Sequence, residues 1–229
     1  MNERIYIAED EDNIRETVRT FLESEGYLVN DYTNGDALFE EYQKNPCDLV
    51  ILDVMMPGSS GFEITKKLRS ISTVPIIILT ARDSELDYAA GINLGSDDYF
   101  TKPFSAISLV MRVKAMLRRV RLDQEAMQYG TSEDLKFSDV IIQRKIMEVR
   151  VGDEILDLTP TEYNLLVHLL VNQDRAVSRR ELLDEVWGFS AEVETRACDD
   201  TVRRLRKKLS SSRIRIENIW GFGFRVVEE

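Results

Sequence analysis

The first 120 residues alternate short β-branched runs with helical patterns, and this alternation restricts the possible folds more than any other feature of the chain. The runs with strand composition lie at residues 5–7, 28–29, 49–52, 76–79 and 99–100. Two of them, 49–52 and 76–79, are apolar without interruption, as expected for strands buried on both faces. Strands that alternate with helices favour a parallel sheet covered by helices on both sides. The sequence therefore predicts a doubly wound, five-stranded α/β domain.

Residues of distinct chemistry follow the ends of four of these runs. Because the carboxyl ends of parallel strands meet at one edge of the sheet, where such folds bind ligands, we expect these residues to lie together. They are Glu9 and Asp10 after the first run, Asp53 after the third, Thr80 and Ala81 after the fourth, and Lys102 after the fifth. One sheet edge would then hold three carboxylates, a hydroxyl and an ammonium group.

This combination of groups suits phosphoryl chemistry assisted by a divalent cation. Hard cations such as Mg²⁺ prefer oxygen ligands, which Glu9, Asp10 and Asp53 offer. Lys102 can pair with an incoming phosphoryl group, and Thr80 can donate a hydrogen bond to it. An aspartate between a cation and an ammonium group is a candidate nucleophile that forms an acyl phosphate, and Asp53 has that place.

A polar stretch with little periodicity separates the two halves of the chain. We place a linker at residues 122–133, between a first domain at 1–121 and a second at 134–229. The linker is not rich in glycine and serine, so its composition does not define its stiffness.

The second domain begins with β patterns and continues with capped helices. The β patterns lie at 140–142, 147–151 and 155–158. The segments Thr159-Pro160-Thr161-Glu162 and Ser178-Arg179-Arg180-Glu181 match capping boxes, and each predicts the start of a helix.

A third helical pattern in this domain has an apolar face and a basic face. Cys198, Val202, Leu205 and Leu209 share the apolar face at spacings of four, three and four residues. Although the whole chain has a net charge of −11, residues 196–225 hold nine basic and three acidic residues. A helix with this pattern can pack its apolar back on the protein and place its basic front in a DNA major groove.

The pocket motifs of the first half resemble those of bacterial response-regulator receiver domains. The matching stretches are Ile7-Ala8-Glu9-Asp10-Glu11, Leu52-Asp53-Val54-Met55-Met56-Pro57-Gly58, Leu79-Thr80-Ala81, Gly95-Ser96-Asp97-Asp98-Tyr99 and Lys102-Pro103-Phe104. The resemblance implies a flavodoxin-like receiver in which Asp53 accepts a phosphoryl group from a sensor histidine kinase.

The same resemblance implies roles for the residues around Asp53. Mg²⁺ would be held by Asp10, Asp53, the main-chain carbonyl of Met55 and, through water, Glu9. The phosphoryl-binding and switch residues would be Thr80, Ala81, Tyr99 and Lys102, with a cis peptide bond between Lys102 and Pro103. Phosphorylation would draw Thr80 toward the phosphoryl group and turn Tyr99 inward.

The second half resembles the winged-helix DNA-binding domain of the OmpR/PhoB family. The matching stretches are Leu158-Thr159-Pro160-Thr161-Glu162-Tyr163, Val177-Ser178-Arg179-Arg180-Glu181-Leu182-Leu183, Val186-Trp187-Gly188, Val202-Arg203-Arg204-Leu205-Arg206-Lys207-Lys208-Leu209 and Trp220-Gly221-Phe222-Gly223-Phe224-Arg225. The resemblance implies an α+β winged helix-turn-helix domain in a two-component transcription regulator.

Such a regulator would bind promoter DNA as a homodimer and contact RNA polymerase. The loop at 189–195 is the expected polymerase-facing element. The residues expected at the DNA are Arg196, Asp199, Asp200, Thr201, Arg203, Arg204, Arg206, Lys207 and, on the terminal hairpin, Arg225.

Several positions depart from the family pattern. Asp200 and Thr201 stand where the family often has a small or apolar residue and a histidine, and Ala197 replaces a hydroxyl residue. Ala90 and Ser108 stand where the family dimer face usually has a basic residue and a glutamate, so one intersubunit ion pair cannot form. The residues that match the other dimer pairs are Asp97, Asp98, Arg112 and Arg119.

Composition restricts the remaining classes of protein. No apolar run approaches the ~18 residues of a membrane span, and the N-terminus lacks the order of a signal peptide, so we expect a cytoplasmic protein without membrane contact. Cys47 and Cys198 are then expected to be free thiols. The single histidine, His168, excludes a multi-histidine metal site and is expected to be structural.

Two other functions remain open at this stage. An aspartyl-phosphate phosphohydrolase commonly has a second acid two residues after the nucleophile, and here that residue is Met55. A DNA-binding regulator that works without phosphorylation is favoured by the missing dimer residues and opposed by the complete pocket. In the leading hypothesis the chain is not an enzyme, apart from phosphorylating and dephosphorylating itself at Asp53.

Overall fold

The chain forms two compact units, Met1–Leu117 and Arg118–Glu229. The computed structural model describes residues 3–81, 95–129, 134–188 and 197–229, with side chains as far as Arg121 in the second range. Ala90, Arg196 and the predicted polymerase-facing loop at 189–195 lie outside the described residues.

The first unit contains the predicted five-stranded parallel sheet. Its strands are β1 (Arg4–Ala8), β2 (Leu28–Tyr32), β3 (Leu49–Asp53), β4 (Ile76–Ala81) and β5 (Asp98–Lys102). Their order is β2-β1-β3-β4-β5, and every neighbouring pair is parallel. Each of the five predicted runs lies within one strand, so the α/β prediction is confirmed.

Helices cover both faces of this sheet because alternate strand residues enter two separate cores. The helices are α1 (Asp12–Ser24), α2 (Gly35–Lys44), α3 (Gly61–Arg69) and α4 (Ala106–Tyr129). Ile5 packs in one core with residues of α1 and α4, whereas its neighbour Tyr6 packs in the other core with residues of α2 and α3. Such double burial explains why β1, β3 and β4 are apolar on both faces.

Helix α4 continues through part of the stretch that the sequence predicted as a linker. Residues 122–129 are helical and extend the helix that begins at Ala106. The sequence did not predict this part of the helix because its apolar residues show little periodicity. Apolar periodicity marks a helix that buries one face, and not every helix does so. On α1, Val18 and Leu22 are buried in the core, whereas Phe21 is exposed.

The second unit has two small antiparallel sheets. One contains β6 (Leu135–Phe137), β7 (Val140–Gln143), β8 (Glu148–Val151) and β9 (Glu154–Leu156), paired in that order. The other contains β10 (Val177–Ser178), β11 (Ile214–Ile219) and β12 (Gly223–Glu228), in the order β10-β12-β11. Strands β11 and β12 form the predicted terminal hairpin, the wing.

The described part of this unit also contains three helices: α5 (Pro160–Val171), α6 (Arg179–Trp187) and α7 (Ala197–Lys208). Thr159 and Glu162 form the predicted capping box at the start of α5. At the start of α6 only half of the predicted box forms. Ser178 accepts from the Glu181 main-chain N–H, whereas the Glu181 carboxylate accepts from Arg175.

The apolar face predicted for the third helical pattern is buried. Cys198, Val202, Leu205 and Leu209 are all at most 2% exposed. None of the helices among the described residues is both long and apolar enough to cross a membrane.

We predict that Gly223→Ala destabilises the second unit by about 3 kcal/mol, because the chain approaches this glycine too closely for a side chain. A Cβ at Gly223 would lie 1.9 Å from the Val177 carbonyl oxygen, a main-chain atom that cannot move without disturbing the β10–β12 pairing. Urea unfolding followed by circular dichroism measures the loss.

Gly221→Ala is the matched control. Gly221 has open space around it and a φ of +68°, so alanine there costs only the strain of a left-handed residue, about 1 kcal/mol. Equal losses in the free energy of unfolding for the two variants would contradict the close contact between Gly223 and Val177.

Candidate functional site

The carboxyl ends of the parallel strands bring together the acidic residues that the sequence singled out. Carboxylate oxygens of Glu9, Asp10 and Asp53 lie within 4.8 Å of one another. Glu9 and Asp53 are buried, whereas Asp10 is exposed. The pocket is therefore closed at its base and open toward Asp10.

Lys102 holds the buried carboxylates from the end of β5. Its Nζ lies 2.9 Å from Glu9 Oε1, 2.8 Å from Glu9 Oε2 and 3.3 Å from Asp53 Oδ2. The exposed Glu11 is more distant, with Oε1 at 3.5 Å. The peptide bond between Lys102 and Pro103 is cis, as the sequence resemblance implied.

Burial shapes the protonation of this pocket. It raises the pKa of Asp53 above its ordinary value, opposed by Lys102 and reinforced by Asp10. It also raises the pKa of Glu9, where the Lys102 hydrogen bond opposes the shift and Asp53 adds to it. Burial alone would lower the pKa of Lys102, but Glu9 and Asp53 outweigh it and raise that pKa. Among the described residues, one ammonium group, that of Lys102, thus lies beside the carboxylates of Glu9 and Asp53, with the carboxylate of Asp10 close by. A set of oxygen donors with excess negative charge fits a hard divalent cation.

The residues expected to bind and sense a phosphoryl group lie on the neighbouring strands. Thr80 is buried at the end of β4, and its Oγ1 lies 3.3 Å from the carbonyl oxygen of the exposed Ala81. Tyr99 on β5 is half-buried and packs against the core beneath α2 and α3. The Met55 side chain is exposed, which leaves its main-chain carbonyl as the group with an expected role.

The loop that follows Asp53 is anchored by residues that the sequence analysis did not single out. The Asp36 carboxylate accepts hydrogen bonds from the main-chain N–H and the hydroxyl of Ser59 and from Lys67, at 2.7–2.9 Å. These donors, the Ser59 N–H first, lower the pKa of Asp36 to about 2. A Cβ at Gly61 would lie 2.2 Å from the Asp53 carbonyl oxygen, so glycine is required there. The pair Gly58 and Gly61 after Asp53 was the available sequence signal.

Helix α7 exposes only part of the predicted basic face. Arg203, Arg206 and Lys207 are exposed, and Asp199 is half-buried. By contrast, Asp200, Thr201 and Arg204 are 2%, 1% and 5% exposed. The prediction that these last three residues face DNA is therefore wrong for this structure.

Arg204 is buried because it belongs to an ion cluster around Glu162 of α5. Arg204 Nε lies 2.9 Å from Glu162 Oε1, and Lys208 Nζ lies 2.6 Å from Oε2. The Thr159 main-chain N–H also donates to Oε2, at 3.0 Å. Burial alone would raise the pKa of Glu162, but Arg204 and Lys208 hold it below its ordinary value. The capping-box pattern identified Glu162 as a helix cap but gave no sign of these partners.

Two of the predicted DNA contacts, Arg206 and Arg225, are exposed but already have partners within the chain. Arg206 donates from Nε to the Ile216 carbonyl at 2.8 Å and from Nη2 to Asn218 Oδ1 at 3.1 Å. Arg225 pairs with Glu217 across the hairpin at 3.1 Å. These contacts tie α7 to β11 and stiffen the wing.

The predicted dimer residues also form contacts within one chain. Asp97 is buried and pairs with Arg69 at 2.7 Å, and Asp98 is buried and pairs with Arg112 at 2.6 Å. In the second unit, Arg119 Nη1 donates to the Glu185 carbonyl at 3.1 Å. In this structure Asp97, Asp98 and Arg112 thus pair within one chain, and their role at a dimer face stays a prediction.

Comparison with known proteins decides the family. Residues 5–114 match the response regulator receiver domain, and residues 152–226 match the C-terminal domain of transcriptional regulatory proteins. The chain is a response regulator of the OmpR/PhoB family.

Full-length relatives agree with this assignment. The transcriptional regulatory protein YclJ of Bacillus subtilis is 36% identical over 99% of this chain and 100% of its own. The response regulator ArlR of Staphylococcus epidermidis is 37% identical over 96% of this chain and 97% of its own. The solved structure of DrrB from Thermotoga maritima, an OmpR/PhoB homologue, is 28% identical, covers 98% of this chain and 99% of that chain, and has a TM-score of 0.52. This response regulator thus shares both domains, in the same order, with transcription regulators of two-component systems.

We predict that Asp53→Asn stabilises the receiver at pH 7 when divalent cations are removed. A carboxyl whose pKa is raised by burial stabilises the fold when protonated, and that stability is lost as the pH rises through its folded pKa. The asparagine amide is uncharged, so it avoids the desolvation free energy of a buried carboxylate at position 53. Lys102 remains paired with Glu9 in this variant. We expect the melting temperature in EDTA to rise by roughly 2–6 °C, as about 1 kcal/mol would give a domain of this size.

Asp36→Asn is the matched control with the opposite sign. Because the pKa of Asp36 is lowered, its ionised form stabilises the fold at every pH above the unfolded pKa of about 4. Its melting temperature should fall. A fall for Asp53→Asn as well would refute the raised pKa at Asp53.

We also predict that Arg204→Met destabilises the second unit by about 3 kcal/mol, since it removes one partner from the buried Glu162 carboxylate. Arg203→Met, on the same helix, removes a side chain that is 57% exposed and should change stability by less than about 0.5 kcal/mol. Urea unfolding of both variants makes the comparison, and similar values would contradict the buried cluster.

Proposed function

We propose that this response regulator accepts a phosphoryl group on Asp53 from a sensor histidine kinase and thereby controls its own dimerisation and its binding to promoter DNA. The observation that supports this best is the buried Asp53 carboxylate, which lies beside two further carboxylates and 3.3 Å from the Lys102 ammonium group. Cytoplasmic location, where promoter DNA is accessible, is part of the proposal.

Mg²⁺ is the proposed cofactor, with Asp10, Asp53, the Met55 carbonyl and, through water, Glu9 as its ligands. When bound, Mg²⁺ supplies positive charge that offsets the negative charge of the pocket and of the phosphoryl oxygens. The acidic cluster supports this assignment through its donor chemistry.

The transfer itself needs a free carboxylate oxygen on Asp53. That oxygen attacks the phosphorus of the kinase phosphohistidine, the phosphorus–nitrogen bond breaks, and the imidazole leaves with the electron pair and takes up a proton. Lys102 then pairs with a phosphoryl oxygen, and the Thr80 hydroxyl donates to another. Attack by water on the phosphorus would later restore Asp53 and release phosphate, so the chain limits its own signal.

Dimerisation is proposed to use α4 and β5, but with less ionic character than the family pattern implied. Asp98 and Arg112 are paired within one chain, and Ser108 offers no charge. The apolar side chains of Ile107 and Met111 are 61% and 55% exposed, one helical turn apart on α4. Such a pair can contribute apolar contact area to a second subunit.

DNA contact is proposed for the exposed basic residues of α7 and for the wing. These are Arg203, Arg206, Lys207 and Arg225, together with Arg196, which lies outside the described residues. The loop at 189–195, which also lies outside them, is proposed to contact RNA polymerase rather than DNA. Two α7 helices in a dimer would read paired half-sites, with domains at 1–121 and 134–229 joined through 122–133.

We predict that Mg²⁺ and acetyl phosphate add one labile phosphoryl group to the wild-type chain and none to Asp53→Ala. Intact-mass spectrometry measures the adduct, and Asp36→Asn, which keeps the pocket carboxylates, should still accept it. Sedimentation and binding to DNA follow on the same samples, where the wild type alone should shift toward dimer and tighter binding.

The outcomes separate the competing functions. An adduct on Asp53→Ala would overturn the choice of phosphoacceptor. No change in dimerisation or DNA binding between the phosphorylated wild type and Asp53→Ala would favour a regulator that works without phosphorylation.

A further inference from the structure

Arg179 lies at the junction of three elements of the DNA-binding domain. It is the first residue of α6, and its main-chain N–H donates to the Phe222 carbonyl in the turn of the wing, at 3.1 Å. Its guanidinium carbon lies 4.6 Å from the centre of the Phe224 ring on β12. Its side chain also pairs with Asp199 of α7. Three elements therefore fix one arginine, which neither the helix pattern nor the family resemblance singled out as a DNA contact.

The Asp199 carboxylate accepts hydrogen bonds from one edge of this guanidinium group. Arg179 Nε lies 3.1 Å from both Asp199 oxygens, and Nη2 lies 2.8 Å from Oδ1. The Arg179 side chain nevertheless remains 35% exposed. Because Asp199 uses the Nε edge, the Nη1 edge remains to serve a second acceptor, and the Phe224 ring restricts rotation of the group.

The position of Arg179 indicates what that second acceptor is. It lies between α7, whose exposed face carries Arg203 and Lys207, and the wing, which carries Arg225. If α7 and the wing both approach DNA, a cation between them lies near the sugar–phosphate backbone of the DNA. A guanidinium group that is already held in place matches the geometry of two phosphate oxygens.

We propose that Asp199 is a positioning residue that holds Arg179 in place as a contact to a DNA phosphate, and that Asp199 does not itself read a base. The inference rests on the proposed placement of α7 against DNA. The carboxylate of Asp199 accepts three hydrogen bonds from Arg179, which favours a role as the partner of this guanidinium over acceptance from a cytosine amine. Asp199 therefore strengthens binding although it carries the same charge as the phosphates.

The test measures the dissociation constant of the full-length chain, after treatment with Mg²⁺ and acetyl phosphate, over a series of salt concentrations. One probe is a duplex enriched from a random-sequence pool by the wild type, and the other is an unrelated duplex of equal length. Arg179→Met should weaken binding to both duplexes roughly tenfold, as the loss of a charge-assisted hydrogen bond would. It should also reduce the salt slope by about 0.9 for each subunit, the value for one phosphate, and so by about 1.8 for the proposed dimer.

Asp199→Asn should weaken binding to both duplexes roughly threefold, with a smaller drop in slope, because the partner of Arg179 loses its charge. In an Arg179→Met background the same substitution should have no further effect, since its only route to DNA is gone. Asp184→Asn removes an exposed carboxylate from α6 and controls for net charge, so it should not weaken binding. Circular dichroism melting confirms that each variant is folded.

Each other result overturns the inference in a recognisable way. Tighter binding by Asp199→Asn would mean that Asp199 only repels phosphate. Weaker binding to the enriched duplex alone would mean that Asp199 reads a base, and additive effects in the double variant would mean that it acts apart from Arg179. A wild type that binds neither duplex would overturn the proposed DNA contact of α7, and this inference with it.

Discussion

The burial of more negative than positive charge at one edge of an apolar sheet is the constraint on which the receiver depends. Strands β1, β3 and β4 are buried on both faces, and Glu9, Asp53 and Thr80 at their carboxyl ends have little access to water. In the part of the chain that the structure describes, Lys102 is the one cation paired with Glu9 and Asp53, and burial keeps the pKa of both carboxyls raised. The fold therefore holds the pocket in a state of higher free energy than a neutral pocket would have. A cation or a phosphoryl group that changes the charge balance acts on that stored free energy, which is the physical basis of a switch.

The second unit contains a buried carboxylate, that of Glu162, that has more positive than negative charge around it. Glu162 has two cations and a main-chain donor, and its pKa is lowered rather than raised. Its charges are satisfied within the fold, so no ligand is needed to complete the cluster. The two sites have similar residue types, and the ratio of cations to carboxylates distinguishes the structural one from the reactive one.

Sequence patterns predicted the sheet and the pocket well because both depend on local order along the chain. Apolar runs fix the strands, and parallel topology then forces the residues that follow them to one edge, as Glu9, Asp53 and Lys102 illustrate. The helical end of α4 escaped prediction because four of the eight residues at 122–129 are polar and the apolar pattern there is short and weak. The Asp36–Ser59–Lys67 contacts escaped it because they join three separate segments, and no periodicity links their positions.

The basic helix shows where periodicity misleads. Nine basic residues between 196 and 225 suggest a broad DNA-binding face, but charge in the sequence does not say which side of the helix each residue occupies. Arg203 and Arg204 are adjacent and so point about 100° apart, and only Arg203 is exposed. The face that remains is narrower than the charge pattern suggests. A narrow face can still bind DNA firmly when its cations are held in place, because less conformational entropy is lost for each contact formed. Acidic residues such as Asp199 and Glu217, which lower the net charge, hold Arg179 and Arg225 in this way. For the proposed DNA contact of this domain, the arrangement of the cations therefore matters more than their number.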